Sequence, residues 1–308
     1  MQPLNIRVEA VASFLIAGDF MKKIGLALGG GGLKGLAHIG VLQVLHDNHI
    51  PVGCVSGTSS GSIIAALLAC GMSPYRMADV VLRLKTKDYI DYDLTGIMAY
   101  LLTLLVPGVK GHLDGIIKGN KLEQLVFRLT RGLRLAEARL PLAIIACNID
   151  SGHQVVFTNQ AIANTDEEMV IVNNAFLSEA VRASTSIPAT FVPKFFKGMQ
   201  LVDGGIKEVV PVSVQKSLGS EYTVAVNLGR ELYHEKVVGL PAIVSRSISI
   251  MTYETADLSQ QFYADMILTP ELNDIHLDDI HKAPQIIRAG RQVMEDNLAQ
   301  LIKEIQAR

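Results

Sequence analysis

The feature that most constrains this chain is a short segment, Gly57-Thr58-Ser59-Ser60-Gly61, set between two apolar stretches. Pro51 to Ser56 predicts a buried β-strand, and Ile63 to Cys70 predicts a buried helix because it is apolar all round. A Gly-x-Ser-x-Gly segment between a strand and a helix is typical of a strained turn that exposes the serine hydroxyl. Both glycine positions must stay small to avoid clashes in such a turn. We therefore expect an α/β fold that presents Ser59 as a nucleophile.

A glycine-rich stretch lies upstream, between a predicted strand at Ile24 to Leu28 and a predicted helix at Leu36 to Asn48. Its Gly-x-Gly-x-x-Gly spacing is formed by Gly30, Gly32 and Gly35. This spacing can bind the pyrophosphate of a dinucleotide, but that function also needs an acidic residue about 20 positions further on. The chain has Val55-Ser56-Gly57 there instead. A structural turn is a second alternative for the glycines.

We favour a third interpretation, in which backbone N–H groups of this loop hold a tetrahedral oxyanion near the positive end of a helix dipole. Consecutive glycines allow the close approach that this requires. The candidate donors are the N–H groups of Gly30, Gly31, Gly32 and Ser60.

A serine nucleophile needs a base, and Asp203 is the favoured candidate. It ends a predicted apolar strand, Met199 to Val202, and the glycines that follow it let the backbone turn tightly. An ordinary Asp-Gly turn is the alternative. The base of an α/β-hydrolase is instead a late histidine, but no motif supports the candidates His234, His276 and His281. We expect His38, on the helix after the glycine loop, to be a packed or capping residue.

Taken together, these motifs resemble the patatin-like phospholipase family, whose members combine a glycine-rich oxyanion loop, a Gly-x-Ser-x-Gly serine and an Asp-Gly-Gly or Asp-Gly-Ala aspartate. The resemblance covers Ile24 to Val212 and includes the motif glycines Gly35, Gly57, Gly61, Gly204 and Gly205. Lys34 stands where the family has a basic residue. It is a candidate for contact with a phosphate head group, with a solvated lysine as the alternative.

The resemblance implies a patatin-like three-layer α/β/α sandwich with a mainly parallel central sheet and a helical C-terminal addition. It also implies a serine hydrolase with a Ser59–Asp203 dyad that cleaves lipid esters through an acyl-enzyme, with no cofactor and no metal. Residues 21–230 form the expected catalytic domain, with its motifs in 24–216, and residues 231–308 form a mainly helical region packed on it. We interpret residues 1–20 as an extension upstream of the natural start, with a targeting segment as the alternative.

Composition narrows the function classes. The formal net charge of -2 provides no electrostatic footprint for nucleic acid. The three cysteines lie in apolar contexts without metal-ligand spacing, which indicates reduced thiols in a cytoplasmic protein. No segment has the run of about 20 apolar residues that a transmembrane helix needs.

The substrate prediction depends on a leucine-rich segment broken by glycines, Gly96 to Leu113. It is typical of a lid or of a groove that binds an acyl chain. We expect the same segment to rest on a membrane surface, namely the inner face of the membrane. A buried helix is the alternative. We expect a phospholipid or lysophospholipid substrate. A soluble carboxylesterase or thioesterase and a non-catalytic lipid-binding protein stay open, and the sequence predicts no oligomeric state.

Overall fold

The computed structural model describes residues 21–105, 111, 113–162, 168–229, 236–239, 243–244, 246–247, 250, 260–272, 275 and 279–306. The proposed N-terminal extension, residues 1–20, lies outside these ranges. The strands are β1 (Ile24–Leu28), β2 (Val52–Thr58), β3 (Gly115–Ile117), β4 (Leu142–Asn148), β5 (Gln154–Thr158), β6 (Met169–Val172), β7 (Ala189–Phe191), β8 (Lys194–Phe196), β9 (Met199–Asp203), β10 (Tyr222–Val226) and β11 (Met266–Leu268). The α-helices are α1 (Ala37–Asp47), α2 (Ser60–Ala69), α3 (Pro74–Arg83), α4 (Leu94–Leu105), α5 (Asn120–Leu129), α6 (Leu177–Ser184), α7 (Val212–Ser217) and α8 (Ala283–Gln306).

A nine-stranded sheet crosses the centre of the fold in the order β11-β10-β1-β2-β4-β5-β6, with β9 paired to β4 and β8 paired to β9. Pairing is parallel from β11 through β4 and again between β5 and β6. It is antiparallel between β4 and β5, β4 and β9, and β8 and β9. The predicted mainly parallel sheet is confirmed. β3 and β7 form a separate parallel pair.

Helices cover both faces of the sheet and complete three layers. Side chains alternate between the faces of a strand, so Leu26 belongs to the large core under α1, α2, α6 and α8. Its neighbour Ala27 packs on the opposite face against Val212 of α7. Every residue of β1 is buried, as expected for a parallel strand covered on both faces. The α/β/α sandwich predicted from the sequence is confirmed.

Several predicted elements have the expected bounds. The sequence predicts a helix from Asn120 to Leu129 and a short strand from Met266 to Leu268, and both occur with these bounds. Ser73 caps α3 by accepting a hydrogen bond from the N–H of Arg76, with Pro74 at the first helical position.

Two boundaries differ from the prediction. The strand expected to end at Ser56 continues to Thr58, and the next helix already begins at Ser60, so the turn between them contracts to Ser59. The sequence also predicts a helix from Asn174 to Ala183, but the helix begins only at Leu177. Phe176, just before it, instead forms an isolated β-bridge with Arg134.

The C-terminal part of the chain contributes to both the sheet and a helical layer. β11 extends the sheet beside β10, and α8 packs along α1. Two glycines allow this close helix contact. A Cβ at Gly290 would lie 1.9 Å from the carbonyl oxygen of Ala37, and one at Gly40 would lie 2.0 Å from that of Ile287. In the described ranges, no helix has both the length and the apolar composition needed to cross a membrane.

The contact between α1 and α8 yields the first prediction. Gly290→Ala should lower the free energy of unfolding by about 1–3 kcal/mol, because the added methyl overpacks a tight contact. In an ordinary helix interior the same change stabilises by about 1 kcal/mol. Urea denaturation measures the effect. Gln292→Ala, on the exposed face of the same helix, is the control and should stay near wild type. Stabilisation by Gly290→Ala would contradict the predicted close contact.

Candidate active site

The register of β4 brings Ser59 and Asp203 together. β2 runs parallel to β4 and ends with Thr58 opposite Ile145, while β9 approaches from the other direction and ends with Asp203 opposite Ala146. Both strands therefore terminate at consecutive residues along the same edge of β4. The Ser59 side chain lies close enough to the Asp203 carboxylate to lower the pKa of that carboxyl. Two residues 144 positions apart (203 - 59) in the sequence thus become direct neighbours.

Ser59 has a backbone conformation that is costly for a residue with a side chain. Its φ is 52° and its ψ is −124°, in a region that costs about 1–3 kcal/mol and occurs mainly at functional sites. The flanking glycines fit the predicted turn. A Cβ at Gly57 would lie 2.5 Å from the carbonyl oxygen of Gly61, and one at Gly61 would lie 2.1 Å from that of Leu28.

Asp203 is almost completely buried, with 7% of its surface exposed. Burial raises the pKa of its carboxyl to about 6, and the nearby Ser59 hydroxyl and the N–H of Gly205 oppose that rise. The Gly205 N–H lies 2.8 Å from Oδ1 of Asp203. Gly204 packs against β4, because a Cβ there would lie 2.2 Å from the carbonyl oxygen of Ile145. The carboxylate is thus ionised at neutral pH and has a pKa suited to accepting a proton.

The glycine loop lies against Ser59. A Cβ at Gly30 would come within 3.1 Å of the Ser59 Cβ. However, the Gly30 N–H donates to the carbonyl of Val209 at 3.0 Å, so it is not available to an oxyanion. The prediction that Gly30 donates its N–H to an oxyanion is wrong, because the loop after β9 already accepts this N–H.

The other candidate donors have a different environment. Within the described ranges, the N–H groups of Gly31, Gly32 and Ser60 form no backbone or side-chain hydrogen bond. Gly32 has a φ of 58°, which favours glycine. Gly35 lies where a Cβ would be 2.5 Å from the Ser60 Oγ, so the loop and the start of α2 are in close contact.

The histidines occupy other roles or lie elsewhere. His38 is fully buried, and its Nε2 lies 2.9 Å from the carbonyl oxygen of Gly29. Burial lowers its pKa to about 4, so the ring is neutral and donates this hydrogen bond. The predicted packing role of His38 is confirmed. His234 and His276 lie outside the described residues, and His281 lies in the short 3-10 segment before α8.

Lys34 is 5% exposed, which contradicts the alternative of a solvated lysine. It lies in the 3-10 turn Gly32–Leu36, and its N–H donates to the carbonyl of Gly31 at 3.2 Å. The turn leads directly into α1, and the Lys34 side chain is buried at this junction. Contact of Lys34 with a head group stays a prediction.

An apolar cavity of ≈ 150 Å³ opens beside Ser59. Its walls are formed by α2, α3 and α5 together with Gly32, Gly35 and Ser60 at the end nearest Ser59. On α2 the lining side chains are Ile63, Ile64 and Leu67. Leu67 follows Ser59 by eight positions, which corresponds to about 12 Å of helix rise. The cavity can therefore hold an apolar chain that extends away from the nucleophile.

The lid or acyl-chain groove predicted for Gly96 to Leu113 stays a prediction, because part of that segment lies outside the described residues. No described residue of that segment lines the cavity. The alternative of a buried helix is wrong for the described side chains, because Met98 is 59% exposed and Leu102 is 44% exposed on α4. The cavity walls on α3 and α5 have apolar residues at helical spacing, a pattern that equally predicts ordinary core packing.

Comparison with known proteins identifies the family. The model of the patatin-like phospholipase family matches residues 26–214. A lysophospholipase NTE1 of Pyricularia oryzae is 29% identical over 231 residues, which is 73% of this chain and 14% of that protein. An uncharacterized NTE family protein of Mycobacterium tuberculosis is 25% identical over 221 residues, which is 72% of this chain and 53% of that protein. The chain thus spans about half or less of the length of these relatives.

Among solved structures, VipD from Legionella pneumophila aligns with a TM-score of 0.48 and 14% identity, covering 93% of this chain and 67% of VipD. The type III effector ExoU aligns with a TM-score of 0.48 and 17% identity, covering 91% of this chain and 53% of ExoU. The family match extends from β1 into α7 and so includes the glycine loop, the serine turn and Asp203. The chain belongs to the patatin-like phospholipase family.

Proposed function

We propose that this protein is a serine acyl hydrolase that cleaves the carboxylic ester bond of a lipid. The observation that carries the proposal is the juxtaposition of Ser59 with the buried Asp203, at the ends of two strands that meet on one edge of β4, beside an apolar cavity. A hydroxyl paired with a carboxylate of raised pKa is the arrangement expected of a nucleophile and its base.

In the proposed mechanism, Asp203 accepts the proton of Ser59 while the serine oxygen attacks the ester carbonyl. The N–H groups of Gly31, Gly32 and Ser60 stabilise the oxyanion, helped by the positive end of α2. Collapse of the tetrahedral intermediate expels the alcohol, which takes the proton, and leaves an acyl-enzyme. Water then attacks the acyl group, with Asp203 again accepting a proton, and the fatty acid is released.

The cavity supports a substrate with an acyl chain. It begins at Ser59 and continues among apolar side chains, so an ester carbonyl at the nucleophile would direct its chain between α2, α3 and α5. This apolar cavity suits the acyl chain of a monoacyl lipid, and we propose a lysophospholipid as the first substrate to test. The name of the fungal relative, a lysophospholipase, agrees with this choice. A phospholipid or a non-membrane ester or thioester is the alternative.

Peripheral contact with a lipid surface is part of the proposal. The exposed side chains Leu94, Met98 and Leu102 follow one another at four-residue spacing, which places them on one face of α4. The twelve-residue helix has no charged residue. Such a face can rest on the boundary between head groups and acyl chains. A cytoplasmic location stays a prediction.

The first test is a lipid-class hydrolysis panel with wild type, Ser59→Ala and Asp203→Asn. Both variants should lose hydrolysis by at least about 1000-fold, because one lacks the nucleophile and the other lacks the proton acceptor. Ser178→Ala, which removes a buried hydroxyl from α6, is the folding control. Retained activity in Asp203→Asn would contradict the dyad. A wild type that hydrolyses only short-chain esters would favour the carboxylesterase, and one that is inert toward esters and thioesters would favour the lipid-binding alternative.

The pH dependence follows from Asp203. Hydrolysis requires the ionised carboxylate, so kcat/KM should rise through a pKa of about 6 and then reach a plateau. Initial rates between pH 4 and pH 9 on one soluble ester measure this acidic limb. A limb at the ordinary carboxyl value near 4 would contradict a buried base.

The same pKa shift predicts a change in stability. Because the folded-state pKa of about 6 exceeds the ordinary value of 3.8, the folded protein binds this proton more tightly than the unfolded chain. The free energy of unfolding should therefore fall as pH rises from about 4 to about 6. Asp203→Asn removes the charge and should be more stable than wild type by up to about 3 kcal/mol at pH 8. Denaturation at pH 4 and pH 8 measures the difference, and an equal difference at both pH values would contradict the assignment.

The cavity predicts a change in chain-length preference. Leu67→Phe should fill part of the cavity two helical turns beyond Ser59 and reduce kcat/KM for long-chain esters, at about 0.8 kcal/mol for each methylene excluded. Acetyl and butyryl esters should still be cleaved. Leu102→Phe on α4, outside the cavity, is the matched control. An unchanged preference in a folded Leu67→Phe variant would place the acyl chain elsewhere.

A further inference from the structure

The backbone of Ser59 is held from both sides by other serine side chains. Its carbonyl accepts hydrogen bonds from the N–H of Ser62 at 2.9 Å and from the Ser62 Oγ at 2.6 Å. Its N–H donates to the Oγ of Ser184 at 2.9 Å. Ser62 belongs to the same helix turn, whereas Ser184 comes from the end of α6. A strained residue persists only where its surroundings determine its conformation. Of the two serines that hold Ser59, Ser184 is the one that is distant in the sequence.

The same helix end also holds Asp203. The N–H of Asp203 donates to the carbonyl of Ser186 at 2.9 Å. The segment from Ser184 to Ser186 therefore contacts the backbone of both members of the dyad. Ser184 and Ser186 are both fully buried, so water does not compete for these bonds.

Arg182 anchors this segment. Its guanidinium is 2% exposed and donates from Nη1 to the Ser186 Oγ at 2.5 Å. Nη2 donates at 2.6 Å to the carbonyls of Lys118 and Val192, which follow β3 and β7 directly. The end of α6 is thereby fastened to the small sheet, and Phe191 of that sheet lines the apolar cavity.

We infer that Ser184 is a positioning residue for the nucleophile, and that the segment 182–186 fixes Ser59 and Asp203 relative to each other. This inference rests on the proposed function. The Ser184 Oγ accepts the Ser59 N–H and keeps the peptide in the orientation that directs the Ser59 hydroxyl at Asp203. Without this acceptor, the strained peptide relaxes and the hydroxyl leaves the carboxylate.

The test measures the reactivity of Ser59 with a fluorophosphonate probe, which reports the nucleophile without requiring the natural lipid. Ser184→Ala should lower the second-order labelling rate constant and kcat about tenfold, equivalent to about 1.4 kcal/mol. KM and chain-length preference should stay unchanged, because Ser184 does not line the cavity. Ser178→Ala is the matched control: it removes a buried hydroxyl from the same helix and should label within about twofold of wild type.

Ser184→Thr supplies the rescue, because it keeps an acceptor oxygen at this position. It should recover most of the labelling rate even if its Tm falls below that of Ser184→Ala. Labelling of Ser184→Ala at the wild-type rate would overturn the inference. So would equal losses in Ser184→Ala and Ser178→Ala that follow Tm alone. Failure of the wild type itself to label at Ser59 would instead count against the proposed function, so the two failures are distinguishable.

Discussion

The site depends on how two strands share one edge of β4. β2 ends opposite Ile145 and β9 ends opposite Ala146, one running parallel to β4 and the other antiparallel. Because β2 and β9 run in opposite directions along the same edge of β4, they meet end to end. The ends that meet are the C-terminal ends of both strands. Everything that the site needs is attached to these two ends: the strained serine on one, and the buried carboxylate on the other. A shift in either register would separate them.

The geometry at this junction is energetically unfavourable when considered alone. Ser59 has positive φ, and Asp203 is ionised in a buried position where desolvation raises its pKa. Both costs are typical of functional sites and persist because the surrounding packing determines the conformation. Three features determine the conformation here: the closely packed glycines of the turn, the hydrogen bonds that the Ser59 backbone accepts from Ser62 and donates to Ser184, and the sheet beneath them.

In the proposed function, the apolar cavity is the surface that binds the acyl chain. α2 begins next to Ser59 and also forms one wall of the cavity, so this one helix would align an ester carbonyl at Ser59 with an acyl chain along Ile63 and Leu67. The exposed face of α4 is a separate feature with its own chemistry. Apolar composition does not distinguish an exposed face from a cavity wall, so the leucine-rich sequence alone does not separate these two features.

The sequence by itself determined the fold class, the serine turn and the identity of the dyad candidates. These depend on local requirements: an apolar strand followed by small residues, a helix that is apolar all round, and a glycine where a side chain would clash. Such requirements act over a few residues and are visible in the order of residue types. The bounds of α5 and β11 were predictable for the same reason.

Only the tertiary structure decided which groups are available and which are already bonded. Gly30 looks equivalent to Gly31 and Gly32 in the sequence, yet its N–H is bonded to Val209, 179 positions away (209 - 30). Ser184 has no motif, and its contact with Ser59 depends on where α6 ends above the sheet. The raised pKa of Asp203 likewise results from burial by distant segments. Hydrogen-bond pairing and desolvation depend on neighbours in space, and the order of residues along a chain does not specify those neighbours.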